Sequence, residues 1–317
     1  MNLVKILVLV PLIISNLLVA GQQYGYCFLI SKADSCLFAV KYHKALEFYK
    51  MAFNGYVDSV ASRDVARSIR PALFVKDSMH IRSSAHLLLP KDFQLNADTY
   101  AEIDKINKDS LCYEVRGYHG WNQIIGFYSD SAIRKKARYN PSLRLTLEQI
   151  FDRDQRLRLV LDSIYRSGVA EVNQKIIDSL SIQVRINDSL NLVLVSDILG
   201  KYGWLGIEQV GEKANTALFS VIQHADLRPD MQKKYLPILE AAVKQGKARG
   251  QYLAMLKDRI SLRESGSQMY GTQVAFNPVT GTVSPQPLIS STDVDMFRAC
   301  VGLPPLRYYL TLFTNKK

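Results

Sequence analysis

The chain has 317 residues, of which 48% are hydrophobic and 22% are charged. This composition is typical of a globular protein long enough for two domains, and it excludes a disordered tail. With 40 basic and 29 acidic side chains, the formal net charge is +11.

The N-terminus, residues 1–21, has the three parts of a secretory signal peptide. Lys5 supplies a positive charge, residues 6–20 form an apolar run, and small residues end it. We predict cleavage near Ala20 or Gly21, and export to the periplasm or the exterior. The alternative is an uncleaved membrane anchor, but the run is shorter than the roughly 20 residues that a span needs. We predict no transmembrane span after signal removal.

The four cysteines meet an oxidising compartment if the protein is exported. Cys27 follows Tyr26 rather than the small residues of a lipoprotein signal, so we expect no lipid anchor. Cys27 and Cys36 are close enough in sequence to form a disulfide, but spacing does not fix connectivity. Buried free thiols are the commoner outcome in a chain with a full-sized core.

Short helices are predicted in the N-terminal part by apolar residues at helical spacing. One helix starts at Tyr42, a second covers Val65–Leu73, and a third starts after Ser78. The first and third are offset by about 33 residues, close to the 34-residue period of tetratricopeptide repeats. Residues 22–139 therefore resemble degenerate repeats of that kind, which often bind peptides. The simpler interpretation is packing against the next domain, because so few repeats form no deep groove.

A charged segment ending in Asn140-Pro141 marks the predicted boundary between the repeat-like domain and a helical domain at 140–317. The first helix of this second domain carries charged residues at i,i+4 spacing, which are Asp152, Asp154, Arg156 and Arg158. Such pairs stabilise a solvated helix by a few tenths of a kcal/mol. A functional role requires Asp154, Gln155 or Arg158 to point inward.

A helix predicted from Ile207 to about His224 has one apolar stripe, and His224 lies at its edge. We expect this histidine to be half-buried, as a general base, a metal ligand or a cation near the helix C-terminus. Asp226 precedes Pro229, so it either caps the next helix or faces a ligand together with His224.

No metal or cofactor site is predicted. Two ligands at i and i+2 are too few for zinc, and the five histidines show no His-x-x-x-His or His-Glu spacing. A third metal ligand would have to come from a distant segment. The chain also has no phosphate-binding glycine loop and no Gly-x-Ser-x-Gly nucleophile turn.

Two further helices are predicted, at Met231–Val243 and at Tyr252–Ile260, and the second carries Asp258 and Arg259. Asp258 lies away from the predicted buried side of that helix. Adjacent residues on a helix do not face each other, so Asp258 and Arg259 are expected to pair with other segments.

Beyond these helices the apolar period changes to two residues, which predicts one β-hairpin near 268–285. Gln268, Tyr270 and Gln273 lie at its start. Their amides and phenol either bind a polar ligand or satisfy the backbone of the strand end. The predicted fold is therefore mainly α, with helical hairpins followed by a helical domain that carries one β-hairpin.

Taken in order, these motifs resemble a bacterial domain family of unknown function whose members carry QHAD, DR and Q-x-YGTQ. The motifs occur here at 223–226, 258–259 and 268–273, after a Gly-Trp-Leu-Gly turn at 203–206. The resemblance covers about 145–310 and implies no reaction. It implies that the family-typical positions are His224, Asp226, Asp258, Arg259, Gln268, Tyr270 and Gln273.

Two functions are compatible with these features. The first is an exported binding or interaction protein with a polar cleft, whose partner is a protein, a peptide or an anionic envelope polymer rather than nucleic acid. The second is a hydrolase of envelope material, with His224 as a general base oriented by Asp226, although no nucleophile is evident. Under either function we expect His224, Asp226, Arg259, Gln268 and Tyr270 to line one pocket.

Overall fold

A computed structural model describes residues 3–88, 97–108, 121–124, 126, 140–166, 174–277 and 280–314. Across these residues the protein is mainly helical, with a single antiparallel two-stranded hairpin, as predicted. The chain divides into two compact units. Unit 1 comprises Met1–Tyr128 and Ser267–Lys317, and unit 2 comprises Ser129–Gly266.

The helices and strands follow one another in three groups. The N-terminal helices of unit 1 are α1 (Leu3–Phe38), α2 (Tyr42–Gly55), α3 (Ser62–Phe74), α4 (Ser78–Leu88) and α5 (Ala97–Lys108). The helices of unit 2 are α6 (Pro141–Arg166), α7 (Gln174–Tyr202), α8 (Ile207–Val210), α9 (Glu212–Gln223), α10 (Pro229–Lys244) and α11 (Gly250–Ser265). The C-terminal elements of unit 1 are β1 (Val274–Asn277), β2 (Thr282–Pro285), α12 (Val294–Cys300) and α13 (Leu306–Thr314).

The helices α2, α3 and α4 lie where the apolar periodicity predicts them. Their buried sides include Leu46, Ile69 and Ile81, which belong to one apolar cluster. No individual helix is predicted over residues 22–38 of the repeat-like domain, which α1 includes. Among the described residues, no helix combines the length and the apolarity needed to cross a bilayer.

The C-terminal segment of unit 1 packs against its N-terminal helices. Cys27 of α1 and Cys300 of α12 form a disulfide, and Met296 joins the apolar cluster around Tyr49. The possible Cys27–Cys36 pairing is therefore wrong, and Cys36 is a free thiol. Cys112 lies outside the described residues.

A buried charged network connects the helices of unit 1. Nη1 of Arg67 donates to Asp34 at 2.8 Å, and its Nη2 donates to Glu102 at 2.8 Å. The hydroxyl of Tyr49 donates to the other oxygen of Asp34. Burial raises the pKa of Asp34 to about 6, although the charge of Arg67 opposes this shift. These four side chains fix α1, α2, α3 and α5 against one another.

The arginines of α3 also bind the backbone of the C-terminal segment. Nη2 of Arg67 donates to the carbonyl of Gly302 at 3.0 Å, and Nη2 of Arg63 donates to the carbonyl of Ala299 at 3.2 Å. The carbonyl of Ala299 also accepts from the backbone N–H of Gly302, whereas the carbonyl of Gly302 lies beyond the helix and is satisfied by Arg67.

Unit 2 has its own apolar core, formed by α6, α9, α10, α11 and part of α7. The prediction of a single helix from Ile207 to His224 is wrong about its continuity. The structure contains two helices there, α8 and α9. Gly211 separates them with a φ of +86°, a conformation that favours glycine. Leu218 and Ile222 of α9 lie in the core, as the apolar stripe predicts.

The hairpin is confirmed, but its strands start later than predicted. Val274 lies opposite Pro285, and Asn277 lies opposite Thr282. The segment before β1 is a loop in which Gly271 has a φ of +64° and Gln268 makes one isolated bridge with Leu288. Residues 267–317, which belong to the predicted domain at 140–317, lie in unit 1.

Candidate functional site

His224 in unit 2 is held by the carboxylate of Asp154. The histidine follows the last turn of α9, and Asp154 lies in the middle of α6. Nδ1 of His224 is 3.0 Å from each carboxylate oxygen of Asp154. The side chain of His224 is 22% exposed, whereas that of Asp154 is fully buried. Nε2 of His224 has no partner among the residues that the structure describes.

Asp154 is also bound by two neighbours on its own helix. Gln155 donates to Oδ2 of Asp154 at 2.6 Å, and Arg158 lies 3.4 Å from Oδ1. Nη2 of Arg158 is 2.8 Å from both oxygens of Asp188 on α7. Burial raises the pKa of Asp154, but the hydrogen bond and charge of His224 and the charge of Arg158 outweigh it, so the pKa lies below its usual value.

Asp154, Asp188 and His224 bring three possible metal-ligand atoms within 4.8 Å of one another. The sequence prediction of no metal site considered ligands near His224 in sequence, and it missed Asp188 because α7 is a different helix. In this arrangement the Arg158 guanidinium binds both oxygens of Asp188. The two carboxylates of the cluster are thus already bound by a guanidinium and an imidazole, and a metal ion would compete with Arg158 for Asp188.

Asp226 forms a second network with two arginines of α11. Its Oδ2 accepts a 2.6 Å hydrogen bond from Nη1 of Arg259, and its Oδ1 accepts a 3.1 Å bond from Nη2 of Arg263. Gln232 joins by donating to Oδ1 of Asp226 and accepting from Nη1 of Arg263. Burial raises the pKa of Asp226, but the effects of Arg259, Gln232 and Arg263 outweigh burial. The pKa therefore lies below its usual value.

These contacts differ from the predicted roles of Asp226, which are to cap α10 or to orient His224. The N-cap residue of α10 is Arg228, and no side chain caps the helix there. The carboxylate that contacts Nδ1 of His224 belongs to Asp154. Sequence reasoning missed Arg263. Its i,i+4 spacing from Arg259, which places both on one face of α11, is the signal that would have found it.

Gln268 in unit 1 holds the backbone of the loop that precedes β1. Its amide donates to the carbonyls of Gln273 and Gln286 at 2.8 and 3.0 Å, and its Oε1 accepts from the backbone N–H of Gln273. The residue is fully buried. These bonds correspond to the second of the two predicted roles, in which the amide satisfies the strand end.

Tyr270 belongs to the same loop and is 8% exposed. Its carbonyl accepts a bond from Nη1 of Arg298, whose guanidinium lies 4.7 Å from the ring centre of Tyr309. The hydroxyl of Tyr309 donates to the carbonyl of Thr272. The helices α12 and α13 thus fix the loop through its backbone.

The structure places the remaining predicted site residues as follows. Gln273 is partly buried beside Gln268. Asp258 is fully buried, because α11 packs on more than one side, and this differs from the predicted orientation. His224, Asp226 and Arg259 belong to unit 2, whereas Gln268 and Tyr270 belong to unit 1. Their convergence on one pocket stays a prediction.

A cavity of about 400 Å³ lies in unit 2 between the Gly-Trp-Leu-Gly turn and α10. Trp204 of the turn is buried, with an indole nitrogen that has no partner within the described part of the chain. The residues that line the cavity are Tyr202, Gly203, Trp204, Pro237, Ile238, Ala241, Ala242, Gln245 and Lys247. None of the predicted site residues is among them.

The fold and these networks define a helical protein with a polar, half-exposed histidine and arginine surface on unit 2. Residues 151–316 match the family of unknown function DUF6624. This match covers just over half of the chain, and the chain belongs to that family. No curated protein and no solved structure is significantly similar to it.

Proposed function

We propose that the protein is an exported binding protein and that unit 2 binds an anionic group of an envelope polymer. The anion is bound by Arg259 and Arg263, which Asp226 holds together, and we refer to these three residues as the arginine surface. His224 lies two residues before Asp226 in the chain. This proposal keeps the first predicted function and replaces its candidate residues in unit 1 by Arg263.

The charge balance of the arginine surface carries this proposal. Two guanidinium groups contact the single carboxylate of Asp226, so the group has a net charge of +1. The side chains of Asp226, Arg259 and Arg263 are 50%, 26% and 37% exposed. A guanidinium has five N–H donors, and the described contacts use one of Arg259 and two of Arg263. Nε of Arg259 is buried and has no partner among the described residues. The remaining N–H donors are suited to carboxylate, sulfate or phosphate oxygens.

Export is supported by two features of unit 1. The first residues have the composition of a signal peptide. The Cys27–Cys300 disulfide is typical of an oxidising compartment, such as a bacterial periplasm or the exterior.

For the N-terminal helices we propose a packing role over peptide binding. The predicted likeness to tetratricopeptide repeats is part of this proposal. The supporting observation is that Arg63 and Arg67 of α3 are buried and bind the carbonyls of Ala299 and Gly302. These side chains are therefore not free for a peptide.

A binding measurement with dextran sulfate and neutral dextran tests the arginine surface. We expect wild-type protein to bind the sulfated polymer only, and the double variant Arg259→Gln, Arg263→Gln to bind it about 10-fold more weakly. The matched control is Lys201→Gln, Lys244→Gln, which removes the same charge from exposed positions elsewhere on unit 2. Equal losses in both double variants would show that only the net charge matters, and would contradict the proposal.

A second candidate function, hydrolysis of envelope material, is favoured by the Asp154–His224 pair. A buried carboxylate at Nδ1 fixes the ring and leaves Nε2 facing outward, which is the arrangement of a general base. No nucleophilic side chain is needed if the base activates water.

The hydrolase candidate is tested by incubating purified cell-wall material with the protein and measuring released products. If His224 is the base, His224→Gln should abolish release while binding to dextran sulfate falls only slightly. Absence of release with wild-type protein would remove this candidate and leave the binding proposal intact.

A further inference from the structure

The helix α7 extends well beyond the core of unit 2. Its 29 residues correspond to a length of about 43 Å. Within it, Leu192, Val195, Ile198 and Leu199 join the core cluster. The earlier turns of α7 pack on one side only, so their other side faces solvent.

That solvent-facing side carries an apolar stripe formed by Ile182, Ile186, Leu190 and Val193. These side chains are 58%, 54%, 53% and 68% exposed. At 100° per residue the four positions fall within an arc of about 80°, directed away from the core-facing residues of the helix. A contiguous apolar stripe of this kind is unusual on a monomer and is typical of an interaction surface.

Charged residues at the two ends of the stripe indicate what covers it. Lys175 and Asp197 lie on the same face of α7, and each is 11 residues away from Ile186 in the sequence printed for the helix. Both are exposed, and neither has an ion-pair partner among the residues that the structure describes. Ile182 and Leu190 thus lie at equal distances from Ile186, and so do the opposite charges of Lys175 and Asp197, whereas the position that mirrors Val193 is Ser179.

From this symmetry we propose that α7 pairs with α7 of a second copy of the chain, antiparallel and about a two-fold axis at Ile186. Ile182 then packs against Leu190 of the other copy, and Lys175 lies opposite Asp197. A two-fold interface needs one self-complementary surface, which this stripe provides. Parallel pairing would place each charge opposite its own kind.

The composition of α7 favours a second copy over a lipid surface. The helix contains three basic residues, Lys175, Arg185 and Lys201, and three acidic ones, Asp178, Asp188 and Asp197. Helices that lie on anionic membranes have an excess of Lys and Arg on their polar face. This proposal does not depend on anion binding by the arginine surface.

The oligomeric state of the full mature chain, measured by sedimentation over a range of concentrations, tests the pairing. We expect a monomer–dimer equilibrium, with the dissociation constant raised about 10-fold or more by Ile186→Glu, because the two new carboxylates meet at the axis. The control Leu227→Glu makes the same change at an exposed leucine outside α7 and should leave the equilibrium unchanged. A wild-type protein that remains monomeric at all concentrations would overturn the proposal.

Cysteine cross-linking fixes the register and the direction. In a Cys36→Ser, Cys112→Ser background, Ile186→Cys should form a covalent dimer on mild oxidation, because residue 186 meets its own copy at the axis. Ile182→Cys should not, because its two copies would lie about 12 Å apart along the axis. Cross-linking of both variants to the same extent would contradict antiparallel pairing. A separate measurement is sedimentation of the protein with phosphatidylglycerol vesicles. If the wild-type protein sediments with the vesicles and Ile186→Glu does not, the stripe binds lipid instead.

Discussion

Nη1 of Arg259 lies 2.6 Å from Oδ2 of Asp226, and this contact joins segments 33 residues apart in the chain. Arg263 binds the other oxygen of the same carboxylate. Two segments that carry separate sequence motifs therefore form one charged network. The carboxylate keeps the two guanidinium groups together and also competes with any external anion for their N–H donors.

This competition predicts opposite effects of Asp226→Asn on binding and on stability. Without the carboxylate, binding of dextran sulfate should tighten by about 5-fold, or roughly 1 kcal/mol. The free energy of unfolding should fall by about 1 kcal/mol, a modest loss because Asp226 is half-exposed. The control Asp230→Asn changes the same charge in an exposed pair with Arg228. Weaker binding by Asp226→Asn would argue against anion binding by these arginines.

We predict a large loss of stability when the side chain of Asp154 is truncated. The variant Asp154→Ala removes a fully buried carboxylate that accepts from His224 and Gln155 and pairs with Arg158. We expect the free energy of unfolding to fall by about 3 kcal/mol, measured by urea denaturation. Asp152→Ala is the matched control, because its carboxylate pairs with Lys213 at the surface, and it should cost less than about 0.5 kcal/mol. Similar losses of unfolding free energy in both variants would show that the contacts of Asp154 do not stabilise unit 2 more than a surface ion pair does.

His80 predicts how the stability of unit 1 depends on pH. Burial lowers the pKa of His80 to about 4, below its usual 6.5. Between these values the unfolded chain binds more protons at this histidine, so the contribution of His80 to stability increases as pH rises from 4 to 6.5 and is lost as pH falls through that range. The full difference is at most about 3 kcal/mol. The raised pKa of Asp34 contributes a change of opposite sign between about 4 and 6. His80→Gln removes the histidine's share, so the stability of the variant should rise less, or fall more, between pH 4 and 6.5 than that of the wild type in pH-dependent unfolding. An unchanged slope would contradict the assignment.

We predict that loss of the Gln268 side chain destabilises the loop before β1. The variant Gln268→Ala leaves the carbonyls of Gln273 and Gln286 and the N–H of Gln273 without their side-chain partner. We expect a loss of about 2 kcal/mol and faster hydrogen exchange at the amide of Gln273. Gln286→Ala removes an exposed side chain of the same type and should change neither quantity measurably. If the two variants behave alike, Gln268 is available for a ligand.

The disulfide predicts different consequences for two cysteines. Cys300→Ser should reduce the free energy of unfolding by about 3 kcal/mol, because the Cys27–Cys300 bond constrains a long stretch of unfolded chain. Cys36→Ser, which changes a free thiol, should have little effect. Denaturation with and without a reductant measures both. A wild-type protein indifferent to the reductant would show that the bond is absent in solution.

Local features of this chain were predictable from the sequence, whereas long-range partners were not. The helices α2, α3 and α4 follow from apolar spacing within single segments. The pairing of His224 with Asp154 spans 70 residues, and no periodicity encodes such a contact. The same holds for Cys27 and Cys300, whose separation is 273 residues.

Other differences arose from backbone geometry and from side chains that bind the backbone. Gly211 interrupts an apolar stripe that otherwise continues through α8 and α9. Alternating residues before β1 indicated a strand, but the amide of Gln268 occupies backbone groups that a neighbouring strand would otherwise pair with. The polar character of Gln268 was visible in the sequence, and its direction was not.

The arrangement of unit 1 around unit 2 in the chain has a consequence for synthesis. Residues 129–266 form one continuous unit, whereas unit 1 needs residues from both sides of it. As the chain emerges from its N-terminus, unit 2 has all its residues before unit 1 does. Arg63 and Arg67 of α3 therefore lack their carbonyl partners at Ala299 and Gly302 until the residues after unit 2 have been synthesised. A premature stop after unit 2 leaves a complete unit 2 attached to an incomplete unit 1.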